Sequence, residues 1–324
     1  MKKYRDSTVK SNYRNGSLHG EQLTYDLEGN LIGLQYYEND KITKHPAYKN
    51  LGAEEKMHLA KKSVGSKWWV AVQFNYLMTK YQESCIFLPY DLSQGIDYLD
   101  EKDRISLRWY CLDEKNSLEF PEHDEQLYVT RLRECIEKST RLTIIPLSMY
   151  VGNSGHSNII VYDKIQNTVE RYDPSGHTSK KYNPKKLDNV LHDFFSFLTE
   201  KDVRYFPPPN YCPKIGPQQI AKESKERSGS FFDKGMCTVW SFIYADMRLK
   251  FPDRGRTSVA TLVTEGISNK TDPYTFARKI TLLIYELSEK IKEAKTKEEI
   301  LSALNEATKN LSWGLKNIED EFTD

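Results

Sequence analysis

The chain has 324 residues, a hydrophobic fraction of 38%, 12% aromatics with 21 tyrosines, and 29% charged residues that sum to only +1. That is enough apolar material for one large domain or two moderate ones, and it argues against global disorder. The near-neutral balance gives no broad pull toward nucleic acid or anionic lipid, so neither is expected as a partner.

No apolar stretch approaches the length that spans a bilayer, and the opening "MKKYRDSTVKSNYRNG" has no apolar run behind its paired lysines, unlike a secretory signal. The cysteines are Cys85, Cys111, Cys135, Cys212 and Cys237, odd in number and without CxxC pairs. They read as reduced thiols, which predicts a cytoplasmic protein.

Along the chain, Tyr13, Tyr25 and Tyr37 recur at a spacing of 12, with Gly20, Gly29 and Gly33 between them. Short alternating runs, "EQLTYD" and "LIGLQYY", are separated by the turn residues "NG" and "EGN". This predicts strand–turn–strand units of a small repeat. Over roughly residues 10–45 the pattern resembles the MORN-like repeats of the YwqK antitoxin type. Residues 1–50 are therefore expected to form a small β repeat module. It reads either as a decorative sheet or as a surface that recruits a protein partner.

A polar connection over 42–66 leads into "KWWVAVQFNYLMTKY" (67–81), apolar nearly all round and long enough for a buried helix. "CIFLPYDL" reads as extended, and residues 93–140 are mixed. Within them, 125–140 suits an amphipathic helix with Leu127, Val129, Leu132 and Cys135 inward. "RLTIIPLSMYV" (141–151) is a strand, and 157–176 a hairpin: "NIIVYD", a tight turn at "KIQN", then "TVERYD". Residues 185–201 form an amphipathic helix with Leu187, Val190, Leu191, Phe194, Phe195 and Leu198 on one side. "VRYF" (203–206) is a short strand, followed by a loop to Gly235 and a helix through "CTVWSFIYADMRLK". Two helical patterns end the chain, the second charged and expected as a peripheral hairpin arm. The domain reading is 51–270 for the main body and 271–324 for a helical extension.

Cys237 stands where a glycine-containing "KGM" gives way to that helix. At a first helical turn its sulfur would meet unpaired backbone N–H groups and the positive end of the helix dipole, which favour the reactive thiolate. A quiet buried cysteine is the competing reading. A nucleophile needs a base and a group to orient it. His156 opens the first strand of the hairpin and Asp173 closes the second, 17 residues later. A tight hairpin folds that separation back on itself and brings the two together. Cys212 lies in "PPPNYCPKIGP", where the following proline rules out a helix start, so it reads as a loop thiol. The spacings of His156, His177, Cys212 and Cys237 match no zinc knuckle or finger, and no metal or cofactor is expected.

The order His156, Asp173, Cys237 resembles the Ulp1/SENP and adenovirus-type cysteine peptidases, the clan called CE, and especially the Ulp1-like proteins of large DNA viruses. The matching pieces, over residues 140–255, are "TIIPL", "HSN", "ERYDPSG", "IGPQQ" and "GMCTVWS". The resemblance implies an α+β, papain-like/Ulp1-like core with a central mixed sheet flanked by helices. It also implies cleavage of a peptide or isopeptide bond in a protein substrate, with ubiquitin-like conjugates among the candidates. For a viral protein, host cytoplasm or virion is the corresponding location.

By the same resemblance Cys237 is the nucleophile, His156 the general base and acid, and Asp173 the orienting acid. Gln218, or its neighbour Gln219, donates to the oxyanion. Asn158 and Trp240 are carried over as substrate-binding positions, and Trp240 also reads as the core anchor of its helix. Ser157 stands where those peptidases carry tryptophan, and 18 residues that read as a mobile loop separate Gln218 from Cys237. Two other functions fit the same residues: an inactive peptidase-like binding module and a YopJ-type acetyltransferase.

Overall fold

The computed structural model describes residues 8–25, 31–42, 59–60, 66–88, 107–112, 115–119, 125–151, 154–177, 184–221, 236–267, 269, 272–294 and 296–320. The "EGN" turn, most of the polar connection over 42–66 and the loop over 222–235 lie outside these residues.

The first four strands are β1 (Thr8–Arg14), β2 (Ser17–Tyr25), β3 (Leu31–Glu38) and β4 (Lys41–Ile42), an antiparallel sheet in the order β1-β2-β3-β4. Its "NG" turn is the one expected: Asn15 and Gly16 have φ of 51° and 83°, the two positive values that a tight hairpin of matching twist requires.

The larger sheet holds β5 (Cys85–Ile86), β6 (Leu107–Leu112), β7 (Lys115–Glu119), β8 (Leu142–Val151), β9 (Ser154–Asp163), β10 (Thr168–Tyr172) and β11 (Arg204–Phe206). The main order is β11-β10-β9-β8-β6-β7, with β5 beside β8. β8, β9 and β10 are antiparallel neighbours, while β6 and β5 run parallel to β8 and β11 parallel to β10. The sheet is therefore mixed, and the fold is α+β.

Helices cover both faces. They are α1 (Lys67–Lys80), α2 (Glu125–Lys138), α3 (Pro184–Thr199), α4 (Met236–Lys250), α5 (Arg256–Thr261), α6 (Pro273–Lys292) and α7 (Lys297–Asp320). The apolar runs of β8 and β9 explain this, because successive side chains point to opposite faces. Leu142, Ile144, Ile159 and Val161 join one core with α1, α4, α6 and α7. Ile145, Leu147, Met149, Ile160 and Tyr162 join a second core with α2 and α3.

Three helix starts are written in the sequence. The Ser66 hydroxyl accepts from the Trp69 N–H at the head of α1. Asp272 accepts from Thr275 N–H at the head of α6, with Pro273 at its first position. Thr296 and Glu299 cap α7 reciprocally, each side chain accepting from the other's backbone N–H.

Several expectations change. α7 is no peripheral arm: Ile300, Leu304, Ala307 and Leu311 are buried in the first core. Asn75 of α1 donates to Thr308 Oγ1 at 2.7 Å. Among the described side chains of α7, the charged ones, Lys297, Glu298, Glu299, Glu306, Lys309 and Lys316, are exposed. In α2 the buried residues are Tyr128, Val129, Leu132 and Ile136, and Leu127 is exposed. A short helical turn over 217–221 replaces part of the expected loop, and a π-helical turn, Leu262–Gly266, follows α5. Cys85 and Cys135 form a disulfide between β5 and α2, so the reading of all cysteines as reduced thiols fails for these two. Their approach is a product of tertiary packing across 50 residues, which spacing alone does not encode.

Truncating Leu311 separates the two views of α7. As a core residue, Leu311→Ala is expected to cost about 2–5 kcal/mol. Urea unfolding followed by circular dichroism checks this, and a peripheral arm would lose under about 0.5 kcal/mol.

Candidate active site

β9 pairs with β10 from Asp163↔Thr168 to Ile159↔Tyr172. Asp173 is the next residue, so it emerges beside the first half of β9, where His156 stands opposite Met149 of β8. His156 Nε2 donates to Asp173 Oδ1 at 2.7 Å. The ring keeps 18% of its exposure, while the Asp173 side chain keeps 2%.

Cys237 is the second residue of α4 and is 7% exposed. α4 lies against β9, where Ser241 Oγ donates to the Ser157 carbonyl at 3.1 Å. The His156 ring, the Ser157 N–H and the Thr238 side chain act on the sulfur electrostatically, each favouring its anionic form. With Nε2 committed to Asp173, Nδ1 is the nitrogen left for sulfur.

The charges follow. Burial alone would raise the Cys237 thiol, but the imidazole, the Ser157 N–H and Thr238 outweigh it and hold it below its ordinary value. Burial opposes the charged His156 ring, yet Asp173 and the sulfur raise it to about 10. Burial likewise opposes the Asp173 carboxylate, and His156, Arg171 and the Ser175 N–H together lower it to about 2. Each shift favours the charged form of its group: thiolate, imidazolium and carboxylate.

Arg171 stands behind the acid. It is 1% exposed, donates to Asp188 Oδ1 at 2.8 Å and to Asn158 Oδ1 at 2.6 Å, and lies 3.8 Å from Asp173 Oδ2. Asn158 is thus a buried prop for Arg171, with no surface for a substrate. Trp240 is fully buried and stacks on Phe276 at 5.6 Å. Of its two readings the structure supports the core anchor, and the substrate-binding expectation for Asn158 and Trp240 is corrected.

Gln218 is half-buried on the helical turn 217–221. That turn locks against the one following Asp173. Gln218 N–H donates to Pro174 O at 3.1 Å, Gly216 N–H to Ser175 O at 3.2 Å, and Gly176 N–H to Asp173 O at 2.9 Å. The two backbones touch so closely that a Cβ on Gly176 would lie 2.6 Å from Gly216 N and 2.7 Å from Lys214 O. Gly176 also has φ of +85°, where side chains strain. "DPSG" and "KIGPQ" are two halves of one joint.

Cys212 sits beside the same acid with its thiol pushed up to about 12, chiefly by burial. No histidine acts on it as His156 acts on Cys237. Arg171, Ser157, Thr238 and Ser175 were given no role in the sequence reading. Arg171 was findable: on a strand, i and i+2 share a face, so an arginine two residues before Asp173 belongs beside it. Ser175 was signalled by Asp-Pro-Ser, where a turn aspartate accepts the N–H two residues on; here Ser175 N–H donates to Asp173 Oδ1 at 2.9 Å.

No family model matches the chain. Over 120 residues it is 33% identical to a protein described as ankyrin repeat protein L371 of Acanthamoeba polyphaga mimivirus. The shared stretch covers 34% of this chain and spans only 16% of that relative's length. Among solved structures, one of the Legionella pneumophila effector protein RavZ aligns at a TM-score of 0.27 and 12% identity, over 81% of this chain and 87% of that one. A second RavZ structure gives 0.24 and 12%, over 75% and 80%. Scores this low carry no argument about fold or chemistry.

The electrostatics predict how Cys237 titrates. Its alkylation rate with iodoacetamide should inflect below 9, the ordinary thiol value. In His156→Ala the inflection should move up, because burial then acts without the imidazolium. Cys212 should stay unlabelled across the same range. Peptide mass spectrometry after timed labelling reads both sites.

Proposed function

We propose that this protein is a cysteine peptidase that cleaves a peptide or isopeptide bond through Cys237, His156 and Asp173, with Gln218 as oxyanion donor. The observation that carries the proposal is the 2.7 Å hydrogen bond from the His156 ring to the buried Asp173 carboxylate, with the Cys237 sulfur at the head of α4 near enough to the same ring to be held below its ordinary value by it. The sulfur lies at the start of a helix, where backbone dipoles favour its anionic form.

The chemistry divides into two steps. The Cys237 thiolate attacks the carbonyl carbon, and the developing oxyanion takes hydrogen bonds from the Cys237 N–H and the Gln218 amide. Collapse breaks the C–N bond, and the imidazolium of His156 gives its proton to the departing amine. The neutral ring then removes a proton from water, which attacks the thioester and releases the acid and the thiol group. Asp173, held by Arg171 and the Ser175 N–H, keeps the ring oriented throughout. A ubiquitin-like conjugate, a viral polyprotein and a host protein are the substrate classes that fit. A viral setting accords with the stretch shared with a mimivirus protein.

A panel of peptide and ubiquitin-like activity probes tests the reading. Wild-type protein should be labelled at Cys237 and Cys237→Ala should not. Gln218→Ala should lower turnover by about 10²–10³-fold, the usual loss for one oxyanion donor. Labelling that persists in Cys237→Ala refutes the assignment. Acetyl-coenzyme A turnover without peptide hydrolysis would favour the transferase instead.

A further inference from the structure

Ser175 Oγ donates to Gln218 Oε1 at 3.2 Å. A glutamine amide has one accepting end and one donating end, and an oxyanion is stabilised only by the donating end. Turned the other way, the amide would set its own carbonyl oxygen against the developing negative charge. An unrestrained glutamine side chain has no reason to prefer the useful orientation.

We infer that Ser175 is a positioning residue for Gln218: its hydroxyl holds the amide oxygen and so presents Nε2 to the carbonyl oxygen that Cys237 attacks. The inference rests on the peptidase reading and adds to it. Ser175 can do this because its own backbone is fixed at both ends. Its N–H donates to Asp173 Oδ1, and its carbonyl accepts from Gly216 N–H. Gln218 is in turn tied to Pro174 through its N–H, and the Gly176–Gly216 contact leaves no room for the two turns to slide. The acid that orients the base and the amide that meets the oxyanion are therefore set by one short segment, Asp173 to Gly176.

Two reagents separate this role from a structural one. p-Nitrophenyl acetate is attacked at its carbonyl: a C–S bond forms, an oxyanion builds, and p-nitrophenolate leaves with the electron pair of the broken C–O bond. Iodoacetamide is attacked at a saturated carbon and expels iodide, with no oxyanion. Cys237→Ala supplies the background for both. In Ser175→Ala the acylation rate should fall about three- to tenfold, the worth of one ordinary hydrogen bond. Alkylation of Cys237 should keep the wild-type rate.

Ser175→Thr, which retains the hydroxyl, should restore acylation. In a Gln218→Ala background, Ser175→Ala should have no further effect. Unchanged acylation in Ser175→Ala overturns the inference. So does a parallel loss of alkylation, or a loss that adds to that of Gln218→Ala. Should Ser175→Ala lose its circular dichroism spectrum, Ser175→Gly removes the hydroxyl without adding bulk, and failure of both to fold assigns Ser175 a structural role instead. If wild-type Cys237 is not acylated above the Cys237→Ala background, the peptidase reading itself falls. That outcome is visible before any Ser175 variant is made.

Discussion

The structure depends on one buried carboxylate. Glu170 is 2% exposed and receives Tyr244 Oη at 2.9 Å, Arg248 Nε at 2.6 Å and Arg256 Nε at 2.9 Å. Tyr244 and Arg248 belong to α4, so this cluster fixes the helix against β10. Next to it Tyr172 and Tyr244 stack at 3.9 Å and 2°. Because breaking a buried ion pair leaves a charge uncompensated, such a cluster tolerates little displacement. α4 carries Cys237 at its other end, and the position of the sulfur over β9 follows from that anchorage.

β10 does two jobs by alternation. Glu170 and Tyr172 point toward α4 and hold the element that carries the sulfur. Arg171 points the other way, to Asp188 of α3, and stands behind Asp173. Four consecutive residues, Glu170 to Asp173, at the end of one short strand and its exit thus set the helix, the acid and the charge behind the acid. The same strand ends in the turn that clasps Gln218. This is why the proposed machinery is compact although its residues span 156 to 237: two of the four groups belong to the β9–β10 hairpin and its exit turn, and a third, Gln218, is clasped by that turn.

The hairpin was readable because its information is local. A tight turn at "KIQN" and period-two strands fix register without outside help, and register alone brings His156 to Asp173. α1 was plain from its long, nearly continuous apolar run, and α3, α4, α6 and α7 from their helical patterns. What failed needed partners distant in sequence. Nothing near 107–112 says that β6 runs parallel to β8, and nothing near Cys85 names Cys135. An amphipathic pattern gives α7 an apolar face but not what that face meets. Asn158 and Trp240 were misassigned because a motif transmits residue identity and not direction. Both point into the protein, one to Arg171 and one to Phe276.

The clasp between α1 and α7 has a temporal consequence. Asn75 meets Leu304 and Thr308 across 229 and 233 residues of chain. The hairpin carrying His156 and Asp173 can pair while synthesis continues, since its contacts are short-range. The core beneath α4 closes only once residues near 308 have emerged. A nascent chain therefore brings His156 to Asp173 early, and Cys237 lacks a finished helix seat until the residues of α7 have been translated. The surroundings of the Cys237 sulfur are complete only late in the life of the polypeptide, when the core that also buries Cys212 closes.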